Sequence, residues 1–158
     1  TGGRQGLMSA QRFPGDFDGI VNATPIGTEK FAYKLGWFDR LNAHARDLLA
    51  LEEAFVLCGD YNVIPTPDDA RDPSAWVDDA LFQPESRAAF RALCHLGLSD
   101  SHELGHEPDG TYTFWDYQAG AWQRDHGFRI DHLLLSPELA DRMSAAGVES
   151  SKDSRSMT

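Results

Sequence analysis

The sequence predicts a single α/β domain, α+β by some schemes, centred on a β-sheet, and three observations carry that prediction. An apolar stripe repeats at helical spacing near residues 31–49, apolar runs of strand length stand near residues 54–58 and 129–135, and a second helix frame lies between them. With 158 residues, 41% of them apolar, the chain can bury a core of its own and suits one domain better than two.

Taken in order, residues 1–29 show neither the helical nor the strand period and carry scattered Gly and Pro, which predicts mostly loop. Phe31, Leu35, Phe38, Leu41, Ala45, Leu48 and Leu49 then recur at steps of three and four, giving one apolar face to a helix of about five turns. Lys30, Lys34, Asp39, Arg40 and Arg46 fall mostly off that face. Residues 54–58 are continuously apolar, the pattern of a strand covered on both faces. Pro65, Pro67 and the acidic DDARDPSAW segment predict a long irregular loop with Trp76 as its anchor, and loops of that length in compact domains tend to carry function. Pro84 opens a second helix whose apolar face is Phe90, Leu93, Cys94 and Leu96, with Gly97 as its stop. Further strands are expected at residues 98–101, 112–115 and 129–135, and a small helix from Pro137. The closing ESSKDSRSMT is polar and Ser-rich and is expected not to pack.

Charge narrows the function classes. With 25 Asp and Glu against 14 Lys and Arg the formal net charge is −11, which argues against broad nonspecific affinity for a polyanion. An acidic chain that handles phosphate must gather its cations locally or recruit a divalent metal. Lys30, Lys34 and Arg124 are the candidate phosphate contacts. No apolar run approaches the ~20 residues that span a bilayer, and TGGRQGLMSA lacks the apolar block of a secretory signal, so no membrane partner and a cytoplasmic location are expected. Cys58 and Cys94 read as reduced core thiols.

Two constellations carry chemistry. In VLCGDYNVIP an apolar strand runs into Asp60 and Asn62, one residue apart. On extended backbone the two share a side and Tyr61 takes the other. A carboxylate that orients water or binds a hard cation, beside an amide that donates to an anionic oxygen, is what attack of water on a phosphodiester requires. The same residues could instead cap the backbone of a turn. In FRIDHLLLS, Asp131 is expected on a face with Arg129 and Leu133, and His132 on the other with Ile130. An inward Asp131 needs a partner, which could be Arg129, a metal or a histidine from another segment. Tyr112, Phe114 and Phe128 are either strand core or a patch that stacks on a sugar or base.

GTEKFAYKLGWFDRL, LCGDYNVIPTPDD, LFQPESRAAFRAL, TYTFWDYQAGAWQR and GFRIDHLLLSP, in that order and spacing, resemble the later half of the exodeoxyribonuclease III and apurinic/apyrimidinic endonuclease family. The resemblance implies a partial DNase I-like, four-layer α/β sandwich with mixed β-sheet. It implies hydrolysis of phosphodiester bonds with Mg2+ or Mn2+ in double-stranded DNA, at abasic sites and 3′ ends, by a monomer. It gives Asp60 the activation of the attacking water and a possible share in the metal, Asn62 a bond to the scissile phosphate, and Asp131 the holding of a catalytic histidine. Asn22 matches an asparagine that touches the phosphate, and Phe114, Phe128 and Ile130 match the apolar pocket for an extrahelical abasic sugar. On this reading residues 1–21 are an irregular segment outside the family pattern, residues 22–146 are the later part of an endonuclease/exonuclease/phosphatase domain, and residues 147–158 are a disordered tail. The family's metal-binding glutamate and closing Ser-Asp-His have no counterpart here, so impaired or absent activity of the chain by itself is expected.

A rival motif is HELGH. His102, Glu103 and His106 fit H-E-x-x-H of the zinc peptidases, which needs both histidines on one face of a helix. Pro108 and Gly110 follow closely and Gly105 interrupts, so loop is expected for both histidines. A noncatalytic remnant is the third class.

Overall fold

The computed structural model of the protein describes residues 28–106, 110–116 and 120–147. Asn22, the segment before residue 28 and the tail from residue 148 lie outside them. The elements in chain order are α1 (Thr28–Leu49), β1 (Val56–Asp60), α2 (Pro84–Cys94), β2 (Ser99–Asp100), α3 (Ser101–Leu104), β3 (Phe114–Trp115), β4 (Gly127–Phe128), β5 (Asp131–Leu135) and α4 (Pro137–Ala140).

The expected helix forms over 22 residues, and α1 buries Lys34, Phe38, Asn42 and Ala45 along one face. Phe38 and Ala45 pack with Phe90 and Leu93 of α2, Tyr61, Val63, Leu98 and Leu134 in the larger core cluster. Both helices therefore cover the same side of a three-stranded antiparallel sheet ordered β1-β5-β2. β5 is central because its inward side chains, His132 and Leu134, are the apolar and aromatic partners of that core. Its ladder with β1 pairs Val56 with Leu135 at one end and Asp60 with Asp131 at the other. Backbone bonds from Tyr61 N–H to Ile130 O (3.0 Å) and from Ser136 N–H to Phe55 O (3.0 Å) prolong the pairing at both ends.

Two expectations need correction. The first strand starts two residues later than the apolar run suggested and ends on Asp60 itself, because the ladder to β5 continues that far. It is also not covered on both faces: Val56 is 39% and Leu133 50% exposed, and Cys58 is exposed, so Cys58 is no core thiol. Among the described residues the outer side of β1 and β5 carries no layer.

A smaller cluster lies past the end of β1. Ile64, Ala70, Leu81, Phe128 and Ile130 are buried there, with Trp76, Phe82 and Phe114 packed against them. The proline-rich loop is built from two 3-10 turns, Pro67–Asp69 and Pro73–Trp76, and Trp76 anchors it with its ring 4.4 Å from that of Phe128. β3 and β4 form a two-stranded antiparallel pair, Phe114 opposite Phe128. Only glycine fits at position 127, since a Cβ there would lie 2.7 Å from Trp115 Nε1 and from Tyr112.

Candidate active site

The antiparallel register sets Asp60 directly opposite Asp131, which places their Cβ atoms on one face about 5 Å apart. Asp60 is half-buried and Asp131 exposed. Burial pushes the Asp60 carboxyl up to about 7; the Asp131 charge adds to that rise, while the Asn62 amide and the Lys34 ammonium oppose it. Asp131 also borders a groove of about 580 Å3 that runs past Leu133 to Leu139 and Met143.

Gly59 and Asn62 shape the end of the strand. Gly59 has φ +153°, a conformation that favours glycine, and Asn62 has φ +51°, the left-handed region that asparagine tolerates better than most residues. Asn62 therefore leaves the extended line rather than continuing it, a correction to the shared-face expectation. Its N–H donates to Asp60 Oδ1 at 2.8 Å, so the turn-capping alternative is realised together with the pairing of Asp60 and Asp131. Tyr61 does turn to the other side, into the core between Trp37, Phe38 and Phe90.

Lys34 corrects another expectation. It is 5% exposed, and its Nζ donates to Asn62 O (2.5 Å) and Ala80 O (2.9 Å), so it braces the turn from beneath and is no surface phosphate contact. Burial lowers its pKa to about 8 against the pull of Asp79 and Asp60. Lys30 and Arg124 are exposed.

Arg129 does not pair with Asp131. β5 begins at Asp131, and Arg129, in the link from β4, turns inward instead and is 2% exposed. Its Nε donates to Asp69 Oδ1 (2.6 Å), and its Nη1 to Asp100 Oδ2 (2.7 Å) and His132 Nδ1 (2.9 Å). A guanidinium only donates, so His132 Nδ1 must accept, which places the imidazole hydrogen on Nε2, and that nitrogen donates to Val63 O at 3.0 Å. Asp69 Oδ2 in turn accepts from Thr66 N–H and Oγ1–H, and Asp100 Oδ1 from His102 N–H. Lys34, Asp69 and Asp100 were missed as parts of the site's support. Polar residues inside an apolar frame were the available signal for Lys34 and His132, whereas Asp69 and Asp100 sit in polar stretches that look like solvated loop.

Phe114, Phe128 and Ile130 are brought together, with Phe114 and Phe128 rings 5.2 Å apart. Phe128 and Ile130 are each 3% exposed and lie inside the smaller core cluster, so Phe114, half-buried, offers the most accessible face of the three. The H-E-x-x-H reading fails on geometry. α3 has only four residues, Gly105 caps it, and His106 follows at φ +53°, so the two histidines do not share a helix face. Among the described residues no three His, Cys, Asp or Glu side chains form a cage for a metal. Asp60 and Asp131 instead offer two carboxylates from facing strands, the oxygen donors a hard cation prefers, and Mg2+ commonly binds one or two carboxylates and keeps much of its water.

The antiparallel ladder thus ends in an acid pair with an amide in the adjoining tight turn, and comparison with known proteins gives the family. The sequence matches the endonuclease/exonuclease/phosphatase family over residues 2–152, and the chain belongs to it. It is 31% identical to the exodeoxyribonuclease of Bacillus subtilis over 123 residues, 77% of this chain and 48% of that protein. It is 32% identical to the DNA repair nuclease APEX1 of Danio rerio over 140 residues, 86% of this chain and 44% of that protein. The structure is similar to that of a 3′-5′ exonuclease (NExo) from Neisseria meningitidis, with a TM-score of 0.78 at 34% identity, covering 87% of this chain and 53% of that one. The chain thus spans about half the length of each of these three proteins. No helix among the described residues is long and apolar enough to cross a membrane.

Proposed function

We propose that this chain carries part of the active site of a DNA repair nuclease, one that hydrolyses phosphodiester bonds beside abasic sites and at 3′ ends. The observation that carries the reading is the register of Asp60 against Asp131, with Asn62 in the turn bonded back to Asp60. A carboxyl whose pKa is pushed up to about 7 is matched to taking a proton from water near neutral pH, the role proposed for Asp60. Asn62 supplies an amide for a phosphate oxygen, and Asp131 steadies a histidine. Bound to Asp60, with Asp131 nearby, Mg2+ or Mn2+ would neutralise charge on the phosphate. Phe114 with Phe128 and Ile130 forms the apolar wall for a sugar that has left the duplex, and Asn22 touches the phosphate. The partner is duplex DNA, the place of action the cytoplasm, and the working unit a monomer.

The test is cleavage of an abasic duplex with and without Mg2+, by the chain and by a form extended at both ends to the length of its relatives. The extended form is expected to cut only with the metal, and Asp60→Asn in it to lose at least about 100-fold in kcat. An extended form that leaves the duplex intact under these conditions overturns the reading.

A further inference from the structure

Behind the acid pair lies a buried polar network that the chemistry above does not use. His132 is 1%, Arg129 2%, Asp100 4% and Asp69 6% exposed. Polar groups this deep persist only when bonded, and each of these is. What matters is where the bonds lead. His132 directly follows Asp131 in β5, and its Nε2 donates to the carbonyl of Val63, which directly follows Asn62. One hydrogen bond of 3.0 Å therefore ties the residue beside one proposed site group to the residue beside another. Arg129 holds the imidazole from the other side through Nδ1, and is itself fixed by Asp69 and Asp100. The ring also packs on Phe90, 4.5 Å between centroids, so it has little freedom to tilt.

Resting on the nuclease reading of the site, we propose that His132 is its positioning residue: the Nε2–Val63 bond sets the spacing of the Asn62 turn from Asp131, and Arg129 sets the ring. Neither residue touches substrate. Alternation along β5 turns Asp131 outward and His132 inward, so the same two-residue step carries a site acid and its support. The backbone of Asn62 is held in its left-handed turn by Lys34 from below, and the following carbonyl by His132 from the sheet. Loss of the second hold frees the Val63 carbonyl between two backbone bonds that remain, Tyr61 N–H to Ile130 O and Ile64 N–H to Leu81 O.

Three substitutions separate this role from mere packing. His132→Phe keeps a ring against Phe90 and loses both hydrogen bonds. His132→Asn places an amide where Nδ1 was and falls short of Val63, whereas His132→Gln reaches it. The backbone amide signals of Asn62, Val63 and Asp131, read by two-dimensional NMR on the chain itself, should shift and lose exchange protection in the Phe and Asn variants and keep their protection in Gln, with the exchange protection of α2 kept in all three. In cleavage assays of the extended form kcat should fall roughly 10- to 100-fold in Phe and Asn at nearly constant KM, with Gln restoring most of it. Site amides that keep their wild-type positions in His132→Phe overturn the proposal, and so does a Gln variant that behaves like Asn. An extended form that folds and does not cleave counts against the nuclease reading alone, because the amide signals then decide the positioning.

Discussion

The two faces of β5 hold the same kinds of residue on opposite terms. Outward, Asp131 and Leu133 face solvent, and a polar group there keeps its water. Inward, His132 and Leu134 are 1% and 0% exposed, and the charged groups around them survive because each one has its partner. Asp60 sits between these regimes, buried enough for its carboxyl to rise to about 7 and close enough to Asp131 to feel it. The two proposed site acids are therefore placed by the strand, while the face sets their surroundings: the outer side leaves groups open to solvent, the inner side holds groups that depend on their partners.

Breaking the inner network should show the largest effect. Arg129→Met leaves Asp69 and Asp100 buried without their shared cation, and an unpaired buried charge costs about 3–5 kcal/mol, read from urea unfolding. Arg124→Met, on the exposed turn before β4, should change stability by less than about 0.5 kcal/mol. The apolar pair on β5 sharpens the same contrast. Leu134→Ala opens a hole in the larger core and should cost about 2–5 kcal/mol, whereas Leu133→Ala, half exposed, should cost under about 1 kcal/mol. Equal losses at 133 and 134 would mean that the outer face is covered in solution.

Much of this arrangement is legible in the sequence. The stripe from Phe31 to Leu49 gives α1, Pro84 gives the start of α2, and the five motifs give the family before any coordinates. What the sequence hides is set by pairing across the fold. A continuous apolar run at residues 54–58 reads as two-sided burial, yet the run alone does not say which neighbours are present, and Val56 and Cys58 stand exposed. Arg129 reads as a strand neighbour of Asp131 because alternation is assumed through residue 129, while the ladder begins only at Asp131. Lys34 looks like a helix surface cation, and only the approach of the Asn62 and Ala80 carbonyls makes its burial tolerable.

Acid strong enough to protonate Asp100 should unpick the inner face. Burial alone would raise the Asp100 carboxyl, but the Arg129 guanidinium bonded to it more than reverses this and holds it well below the usual range. A depressed folded-state pKa contributes stability that is fully present above the unfolded value of about 4 and is lost as pH falls below it. Unfolding midpoints should therefore drop by on the order of 1–3 kcal/mol in stability as pH falls from about 5 toward 2. Asp100→Asn should flatten that slope.

The smallest effect compares the two thiols. Cys58 lies on the outer face of β1 and is exposed, whereas Cys94 closes α2, is half-buried, and has its thiol pushed up to about 11, chiefly by burial, with Asp100 and Glu103 adding to the rise. Thiolate is the reacting form, so at pH 8 Cys94 is starved of it while Cys58 is open to reagent. A thiol-reactive dye should label Cys58 first, at least about tenfold faster, with Cys94 following only as the pH is raised or the chain unfolds. Because Cys58 stands opposite Leu133 on the ladder, its labelling rate also reports on the outer face itself. Slow labelling of Cys58 in the folded chain, released by mild denaturant together with Cys94, would show a layer lying over β1 and β5 and would place both faces of the sheet under the terms that now hold only for the inner one.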